Sequence, residues 1–442
     1  MSRPLREHAL AILRAALAAA DARAAVSRAL VVDGDRLTVV GAEEVDLASV
    51  DRILLIGAGK AAAGMAAAAR EVLGERIAEG TITTKDGHAA GLPRIEVWEA
   101  AHPVPDTRGM AGAADALRLA REAGPRDLVL CLLSGGASAL WPAPVPGVSL
   151  TPLQEVTDAL LRSGAAIHEI NTVRKHLSRI GGGWLALAAA PARVVTLAVS
   201  DVVGGALDVI ASGPTVPDPT TYADALEVLQ SRGIHPPPPV LAHLRAGDDG
   251  EREETPKPGD PAFERASAHV IAGSRDALAG AVREAERLGY RVRIVAEDLE
   301  GEASSVGEQV AQLAMGALAE DADAPLAFLL GGETTVTVQG SGRGGRNQEL
   351  ALAAAVELEG VQGVLAAAMG TDGTDGPTDA AGAFADGGTV ARGDAAGLDA
   401  RDALRRNDAY PFLRAAGDLI VTGPTGTNVN DVVLVLVDAQ RA

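Results

Sequence analysis

The sequence predicts a two-domain α/β protein. Its 442 residues are too many for one ordinary core, because hydrophobic cores stop growing at about 250 to 300 residues. Short apolar runs alternate with longer helical patterns, which is typical of βαβ units and a largely parallel sheet. Ligands bind such sheets beyond the carboxyl ends of the strands, so function is expected in the loops that follow the apolar runs.

The predicted strands form two groups on either side of a polar, proline-rich stretch. His235–Pro239 contains four consecutive prolines, and 246–261 is rich in Asp, Glu, Gly and Pro, as domain boundaries often are. We therefore expect one domain over 1–250 and a second over 251–442. The clearest strands are Ile53–Ile56, Ile95–Trp98, Leu128–Leu133 and Val194–Val199 before this stretch, and His269–Ala272, Arg291–Val295, Ala327–Leu330, Val364–Met369 and Val432–Val437 after it.

Composition argues against several classes of function. Aromatic residues make up only 2% of the chain, so aliphatic side chains must fill the cores and base-stacking surfaces are not expected. A formal net charge of -20 opposes binding to nucleic acid or anionic lipid. The single cysteine, Cys131, lies in an apolar run and is expected to be a buried hydrophobe rather than part of a disulfide or a metal site.

The N-terminal segment is predicted to be an amphipathic helix, because charged residues interrupt its alanines and leucines as they would not in a signal peptide. No run of about 18 uncharged apolar residues occurs in the sequence. We expect a cytoplasmic protein with no nucleic-acid or membrane partner, and we leave a homodimer open.

The first strong strand is followed by a glycine-rich turn, Gly57-Ala58-Gly59-Lys60, that opens an alanine-rich helix. Glycines let the backbone approach an anion closely, and a helix N-terminus supplies free N–H groups. The helix dipole disfavours a cation at Lys60, so a bound polyanion explains this residue better than helix stability does; a solvated lysine is the alternative. The turn lacks the Walker pattern and fits only the loose dinucleotide pattern, and the next strand ends in Thr84-Lys85 rather than in an acidic residue.

Two further strands of the first half also end in polar groups. Ser134-Gly135-Gly136-Ala137-Ser138 is a turn whose amides can wrap a phosphate or a carboxylate, although a plain tight turn explains it equally well. Asp201 follows Val194–Val199 and is placed to hold Mg²⁺ or to accept a proton from a hydroxyl, with a helix cap as its alternative role.

Between these two strands the segment 171–176 crowds hydrogen-bond donors into an acidic chain. It contains Asn171, Arg174 and Lys175. On a helix Arg174 and Lys175 point in different directions, so we expect at most one of them to face a ligand.

The least ordinary segment of the second half is a glycine-rich run that contains Arg343 and Arg346 and enters an apolar helix. Planar guanidinium groups suit a carboxylate or the charge on a transferring phosphoryl group. A glycine-rich hairpin with solvated arginines is the alternative. Glu333 lies shortly before this run.

The segment Met369–Asp379 has closely spaced carboxylates, among them Asp372 and Asp375. It lacks the closing Glu of an EF-hand and has a predicted βα context, so we expect contact with Mg²⁺ or a substrate hydroxyl, or simple turn chemistry. No H-x-x-x-H, H-E-x-x-H or G-x-S-x-G pattern occurs, which argues against zinc and serine hydrolases.

Taken together and in order, these motifs resemble those of the class II glycerate 2-kinases, the glycerate kinase/MOFRL family, some of whose members are labelled hydroxypyruvate reductases. The likeness spans nearly the whole chain, so it is more specific than any single loop. The motifs are Gly57-Ala58-Gly59-Lys60, Leu133-Ser134-Gly135-Gly136, Asn171-Thr172-Val173-Arg174-Lys175-His176-Leu177-Ser178, Ser200-Asp201-Val202-Val203-Gly204, Ile210-Ala211-Ser212-Gly213-Pro214-Thr215, Gly344-Gly345-Arg346-Asn347-Gln348-Glu349 and Gly370-Thr371-Asp372-Gly373-Thr374-Asp375-Gly376.

The resemblance implies ATP-dependent, Mg²⁺-requiring phosphorylation of the C2 hydroxyl of D-glycerate to 2-phosphoglycerate. It implies a Rossmann-like α/β/α N-terminal domain and a C-terminal α/β domain with a mixed sheet, whose MOFRL region covers about 325–442, with the active site in a cleft between them. Departures from the family pattern occur at Gly181, Gly205 and Ser341, and they bear on substrate affinity or on the choice of phosphate donor.

These expectations assign roles to individual residues. Lys60 and Arg346 match a lysine and an arginine held to be essential in the family, and which of them meets the phosphoryl group and which the carboxylate is left open. Asp201 is expected to be the metal ligand or the base, with Asp372, Asp375 and Glu333 as second choices. The expected ATP-binding residues are Gly57, Gly59, Ser134, Gly135, Gly136, Ser138, Glu333, Asn347, Gly370 and Asp372; the expected substrate-binding residues are Asn171, Arg174, Lys175, Arg343 and Asp375; and the expected Mg²⁺ ligands are Asp201 and Asp372.

Two other functions stay open. The loose dinucleotide pattern and the older family label motivate an NAD(P)H-dependent hydroxypyruvate reductase. A non-catalytic regulator that binds a sugar phosphate is the second alternative, although the acidic chain shows no basic segment for a DNA- or partner-binding module.

Overall fold

A computed structural model describes residues 3–39, 44–89, 91–200, 206–319 and 324–438. The chain divides into two compact units. The inserted unit is Ala22–Ile271, and the discontinuous unit consists of Met1–Asp21 together with Ala272–Ala442. This division differs from the expected boundary near residue 250 in two ways. The N-terminal helix packs with the C-terminal part of the chain, and the chain passes from the inserted unit to the discontinuous unit after Ile271.

The inserted unit contains a small antiparallel sheet and a six-stranded sheet. Its strands are β1 (Leu30–Asp33), β2 (Arg36–Val39), β3 (Glu44–Asp46), β4 (Ile53–Ala58), β5 (Ile77–Lys85), β6 (Ile95–Ala100), β7 (Leu128–Leu133), β8 (Arg193–Ser200) and β9 (Ala266–Gly273). The larger sheet has the order β6-β5-β4-β7-β8-β9, and its first five strands are parallel. β4 and β7 are buried along their whole length, as central strands covered on both faces must be.

Helices cover this sheet and also form a cluster of their own. They are α2 (Ala22–Ala29), α3 (Ala62–Leu73), α4 (Thr107–Arg121), α5 (Ala137–Leu140), α6 (Leu150–Arg162), α7 (Ile167–His176), α8 (Trp184–Ala189), α9 (Tyr222–Ser231) and α10 (Pro238–Asp248). α6, α7, α9 and α10 share an apolar core that includes Leu160, Val173, Leu229 and Leu244. This core fixes α7, the helix that carries Asn171 and Arg174.

The discontinuous unit has one six-stranded mixed sheet, as the resemblance implies. Its strands are β10 (Arg291–Leu299), β11 (Leu326–Gly332), β12 (Val364–Gly370), β13 (Gly382–Asp386), β14 (Leu419–Ile420) and β15 (Asp431–Val437), in the order β10-β11-β15-β12-β13-β14. Its helices are α1 (Arg3–Ala19), α11 (Ser274–Arg287), α12 (Ala303–Ala319), α13 (Arg346–Glu357), α14 (Thr389–Asp394), α15 (Ala400–Arg405) and α16 (Ala409–Ala416).

The alternation of apolar runs and helical patterns is typical of a largely parallel sheet, but this second sheet is mixed, as the resemblance implies. β10 and β11 are parallel, whereas β15 is inserted between β11 and β12 and runs antiparallel to both. β12 is followed by the antiparallel β13, so the carboxylate-rich segment after β12 connects two strands and does not have the expected βα context. Each of the nine strands predicted from the sequence is nevertheless present.

The amphipathic N-terminal helix is confirmed, and it packs against α11. A Cβ on Gly280 of α11 would stand 2.5 Å from the carbonyl oxygen of Ala15, so the missing side chain is what allows the two helices to approach. Leu5, Ile12 and Leu13 bury the apolar face of α1. In the part of the chain that the structure describes, no helix is both long and apolar enough to cross a membrane.

Candidate active site

The turn after β4 and the turn after β7 are hydrogen-bonded to each other. Lys60 N donates to the carbonyl oxygen of Gly135 (3.0 Å), and Ala61 N donates to Ser134 Oγ (3.0 Å). Gly59 has a φ of +131° and lies so close to Ser134 that a side chain would collide with it. The two glycine-rich turns predicted to bind an anion therefore form one surface at the carboxyl ends of adjacent strands.

Gly57 and Gly136 differ in their surroundings. Gly57 lies inside β4, where a Cβ would stand 2.5 Å from the carbonyl oxygen of Leu132, so its absent side chain serves strand packing. Gly136 has a φ of +86°, and a Cβ there would stand 3.0 Å from Nε2 of His102 and 3.3 Å from Cγ of Lys60. The imidazole of His102 and the stem of Lys60 thus converge over the second turn.

A chain of hydroxyl and amide groups continues from this turn. The Oγ atoms of Ser138 and Ser212 lie 3.0 Å apart, and Ser212 Oγ donates to Oδ1 of Asn171 (2.9 Å). Because the hydroxyl of Ser212 donates its only hydrogen to Asn171, the hydroxyl of Ser138 must be the donor to Ser212. Ala211 and Ser212 both have left-handed φ values, 55° and 59°, which cost on the order of 1 to 2 kcal/mol per non-glycine residue. Such strain is found where the surroundings of a functional site hold the backbone in place.

Arg174 borders a small cavity together with Ser138, Trp141, Ser178 and Ser212. Its guanidinium forms no ion pair and no hydrogen bond with any residue that the structure describes. Burial lowers the pKa of the Arg174 guanidinium below its usual value. A half-buried guanidinium without a protein partner is costly, so this cavity is suited to an anion.

Lys175, the next residue on α7, is placed quite differently. Its ammonium is buried and lies 3.3 Å from a carboxylate oxygen of Asp208 and 3.3 Å from one of Asp218. Asp218 is fully buried. Lys175 therefore neutralises carboxylates inside the inserted unit, and the cavity receives its charge from Arg174.

In the discontinuous unit, Arg346 is the first residue of α13 and is held by two carboxylates. Its Nε and Nη2 donate to the two oxygens of Asp431 (2.6 and 2.9 Å), and its Nη1 lies 2.6 Å from Glu333. Burial opposes the charge, but the hydrogen bonds to Asp431 and the nearby carboxylates raise the pKa of Arg346 above its usual value. The guanidinium is thus permanently charged and fixed in orientation.

Asp375 caps the helix that Arg346 begins. Its carboxylate accepts hydrogen bonds from the backbone N–H groups of Asn347 (3.1 Å) and Gln348 (2.9 Å). Burial, only partly offset by these bonds, raises the pKa of Asp375 to about 6. Gly345 precedes Arg346 because a Cβ at this position would collide with Asp375.

Several polar atoms near Arg346 are buried without a hydrogen-bond partner among the described residues. They are Oγ1 of Thr334, Oδ1 of Asn347 and Oε1 of Gln348. Buried polar groups in proteins are nearly always hydrogen-bonded, so unpaired groups beside a charged side chain are consistent with a place for ligand or water.

The other residues predicted in this unit have local partners. Arg343 stacks on the ring of Tyr410 (4.5 Å to the centroid) and donates from Nε to the carbonyl oxygen of Pro377 (3.2 Å). Asp372 accepts from the backbone N–H (2.9 Å) and the hydroxyl (3.0 Å) of Thr374. Gly370 ends β12, where its N–H pairs with Ala381.

Asp201, the first choice for a metal ligand or base, lies in 201–205, outside the described residues. Gly205 lies there too. Within the described ranges no three or more His, Cys, Asp or Glu side chains are grouped so that they could hold a metal ion.

Sequence reasoning misses three residues that the structure places in these groups. His102 follows the carboxyl end of β6, at the same edge of the sheet as Lys60. This position after a strand could have identified His102 from the sequence. Ser212 was part of a motif but received no role. Asp431 is 85 residues from Arg346 in the sequence, so no local pattern could have paired them.

Comparison with known protein families assigns both parts of the chain. Residues 8–245 match a domain of unknown function, DUF4147, and residues 326–431 match the MOFRL family. A D-glycerate 2-kinase of Thermotoga maritima is 45% identical over 88% of this chain and 91% of its own, and a glycerate 2-kinase of Pyrococcus horikoshii is 41% identical over 99% and 98%.

Solved structures give the same result. A crystal structure of glycerate kinase from Thermotoga maritima has a TM-score of 0.84 and 41% identity, and the match covers 98% of this chain and 100% of the other. A Pyrococcus horikoshii protein has a TM-score of 0.79 at 41% identity, covering 98% of both chains. The chain therefore belongs to the glycerate kinase/MOFRL family.

Proposed function

We propose that this protein is a glycerate 2-kinase, which transfers the terminal phosphoryl group of ATP to the C2 hydroxyl of D-glycerate and yields 2-phospho-D-glycerate and ADP. Relatives with this name are similar over most of the chain. The observation that carries the proposal is the half-buried guanidinium of Arg174, which has no ion-pair partner among the described residues and borders a cavity lined by serine hydroxyls.

Arg174 is the proposed ligand of the substrate carboxylate. A guanidinium binds a carboxylate through two parallel N–H···O bonds, so one residue can fix both the position and the plane of the acid group. Ser138 and Ser212 line the same cavity and can hydrogen-bond the hydroxyls of a small hydroxy acid. The small size of this cavity suits a three-carbon acid better than a sugar phosphate.

Lys60 and the two joined turns are the proposed seat of the transferring phosphoryl group. The positive end of α3 and the Lys60 ammonium favour the charge that develops on its oxygens. In the discontinuous unit we assign Arg346 to a phosphoryl oxygen of ATP. Its pairing with Asp431 is shielded, since the Asp431 side chain is 3% exposed, whereas Glu333 is 50% exposed. A phosphoryl oxygen can therefore replace Glu333 at Nη1 while Asp431 keeps the guanidinium oriented.

Mg²⁺ is the proposed metal cofactor. In phosphoryl-transfer sites Mg²⁺ is commonly held by one or two carboxylates and by the phosphates themselves, so a cage of three protein ligands is not needed. Asp201 and Asp372 are the proposed carboxylates, and Asp201 is also the proposed acceptor of the proton from the C2 hydroxyl. When bound, the metal would neutralise charge on the ATP phosphates.

The test is an assay with ATP and Mg²⁺ on D- and L-glycerate, with the product resolved as 2- or 3-phosphoglycerate. We expect ADP and 2-phosphoglycerate from D-glycerate. Oxidation of NADH by hydroxypyruvate in the absence of ADP formation would favour the reductase instead. No turnover of any hydroxy acid would favour a non-catalytic regulator.

A further inference from the structure

The inserted unit contains a second and larger cavity to which the assignments above give no role. Its volume is about 370 Å³, against about 40 Å³ for the cavity at Arg174. Its walls come from the end of α4, from α8, from the start of α9 and from α10. Cavities of roughly 300 Å³ or more can enclose a ligand of the size of a nucleotide.

The charge of this cavity is opposite to that of the chain. Arg121, Arg179 and Arg252 border it, and Glu253 is the single acidic residue among its lining residues. None of the three arginines forms an ion pair with a residue in the described ranges. All three are exposed side chains, and Arg179 donates from Nε to the carbonyl oxygen of Pro144 (3.1 Å). Because the whole chain carries a formal charge of -20, three guanidinium groups without carboxylate partners around one cavity form a local positive site that favours an anionic ligand.

The remaining wall is apolar and aromatic. Trp184 and Leu187 of α8 face this space together with Tyr222 and His243. Nε2 of His243 donates to the carbonyl oxygen of His176 (3.1 Å), and burial, which opposes a second proton on the ring, lowers the pKa of His243. Its buried Nδ1 is then an acceptor, and it has no donor among the residues that the structure describes. Aromatic rings of this kind stack on planar ligands, and arginines bind phosphate.

We propose that this cavity binds a nucleoside phosphate, with the base against Trp184 and Leu187 and the phosphate at the three arginines. An aromatic base fills the apolar wall, and a doubly charged phosphate satisfies the guanidinium groups. Two sources share this chemistry: the ATP of the proposed reaction and a separate nucleotide.

The position of the cavity connects it to the proposed substrate site. Ser178 borders both cavities, and the ring of Tyr222 lies 4.8 Å from that of His176, which belongs to the same helix as Arg174. The cavity is therefore lined by Tyr222, which packs against the helix that carries the carboxylate-binding arginine.

The test is equilibrium dialysis of labelled AMP against the full-length protein, without glycerate, so that it does not depend on turnover. The test variant is Arg121→Ala/Arg252→Ala. Its matched control, Arg126→Ala/Arg162→Ala, removes the same charge from exposed side chains elsewhere in the unit. We expect the test variant to bind AMP at least about tenfold more weakly and the control to bind like the parent protein.

A cavity-filling change, Ala188→Phe, should abolish AMP binding while leaving the arginines in place. Saturation with a non-hydrolysable ATP analogue distinguishes the two sources. If the analogue displaces AMP and the test variant has a raised KM for ATP, the natural ligand is ATP. If AMP binding is unchanged, the natural ligand is a second nucleotide. Either result supports the site. Absence of saturable AMP binding, or equal affinities in the test and control variants, overturns it.

Discussion

Replacing Arg174 with methionine should separate a charge that serves a ligand from one that serves the fold. The guanidinium forms no ion pair or hydrogen bond with described residues, and burial already disfavours it. Methionine keeps an unbranched stem of similar length. We therefore expect the free energy of unfolding to stay within about 0.5 kcal/mol of the parent value or to rise.

The effect on substrate binding should be large. Hydrogen bonds to a charged group contribute about 1.5 to 3 kcal/mol. This energy corresponds to a factor of roughly 10 to 150 in affinity. We expect the KM for glycerate to rise by such a factor in Arg174→Met, while the KM for ATP changes little.

Lys175→Met is the matched control, since it removes the same charge from the next residue of α7. Lys175 faces two carboxylates, and Asp218 would be left buried without it. Breaking a buried pair costs about 3 to 5 kcal/mol, so this variant should be clearly less stable. Arg174→Met should therefore raise the KM for glycerate with little effect on stability, whereas Lys175→Met should mainly lower stability.

Urea unfolding and steady-state kinetics on both variants decide the matter. A loss of more than about 2 kcal/mol in the free energy of unfolding is typical of a disrupted core. If Arg174→Met showed such a loss while its KM for glycerate stayed unchanged, Arg174 would be structural and the carboxylate assignment would fail.

Three other predictions concern the glycine turns and Asp375. Gly345→Ala should lower kcat/KM at least about tenfold, because its methyl group would displace the Asp375 cap. Gly344→Ala is the control and should keep its activity, since the nearest atom to its new methyl group would be 3.4 Å away. Equal activities of the two variants would contradict this prediction. Gly136→Ala and Gly87→Ala share a left-handed φ, yet nothing lies within 4 Å of a Cβ at Gly87, so only Gly136→Ala should lose activity. Since the pKa of Asp375 is raised to about 6 in the folded state, its contribution to stability is present near pH 4 and is lost as the pH rises through 6. Asp375→Asn should gain up to roughly 3 kcal/mol relative to the parent between pH 4 and 7.5 in urea unfolding, and a difference independent of pH would refute this reasoning.

The sequence predicts the central strands of both units well because they are continuous aliphatic runs. β13 is Gly-Ala-Phe-Ala-Asp and β14 has two residues, so neither carries a strong strand pattern. The place of β15 between β11 and β12 is decided by pairing over long sequence distances, which local periodicity does not encode. The mixed sheet could therefore be expected only from the resemblance.

The proposed site shows the same limit. Lys60 and Ser134 follow neighbouring parallel strands, and their proximity could be predicted from that topology alone. The sequence predicts that at most one of Arg174 and Lys175 faces a ligand, because helical spacing makes their side chains diverge. It does not indicate which of the two contacts Asp218. The partnership of Arg346 with Asp431 depends on where β15 inserts, and it had no sequence signal.

The helix α1 belongs to a unit whose remaining parts are synthesised much later. About 250 residues of the inserted unit lie between α1 and its partner α11. At ribosomal rates of 5 to 20 residues per second, the apolar face of α1 waits roughly 10 to 50 s for α11. The inserted unit can fold during this delay, while Leu5, Ile12 and Leu13 stay uncovered. The nascent chain thus carries this apolar face uncovered while the inserted unit is made, which makes α1 a natural target for chaperones that act at the ribosome.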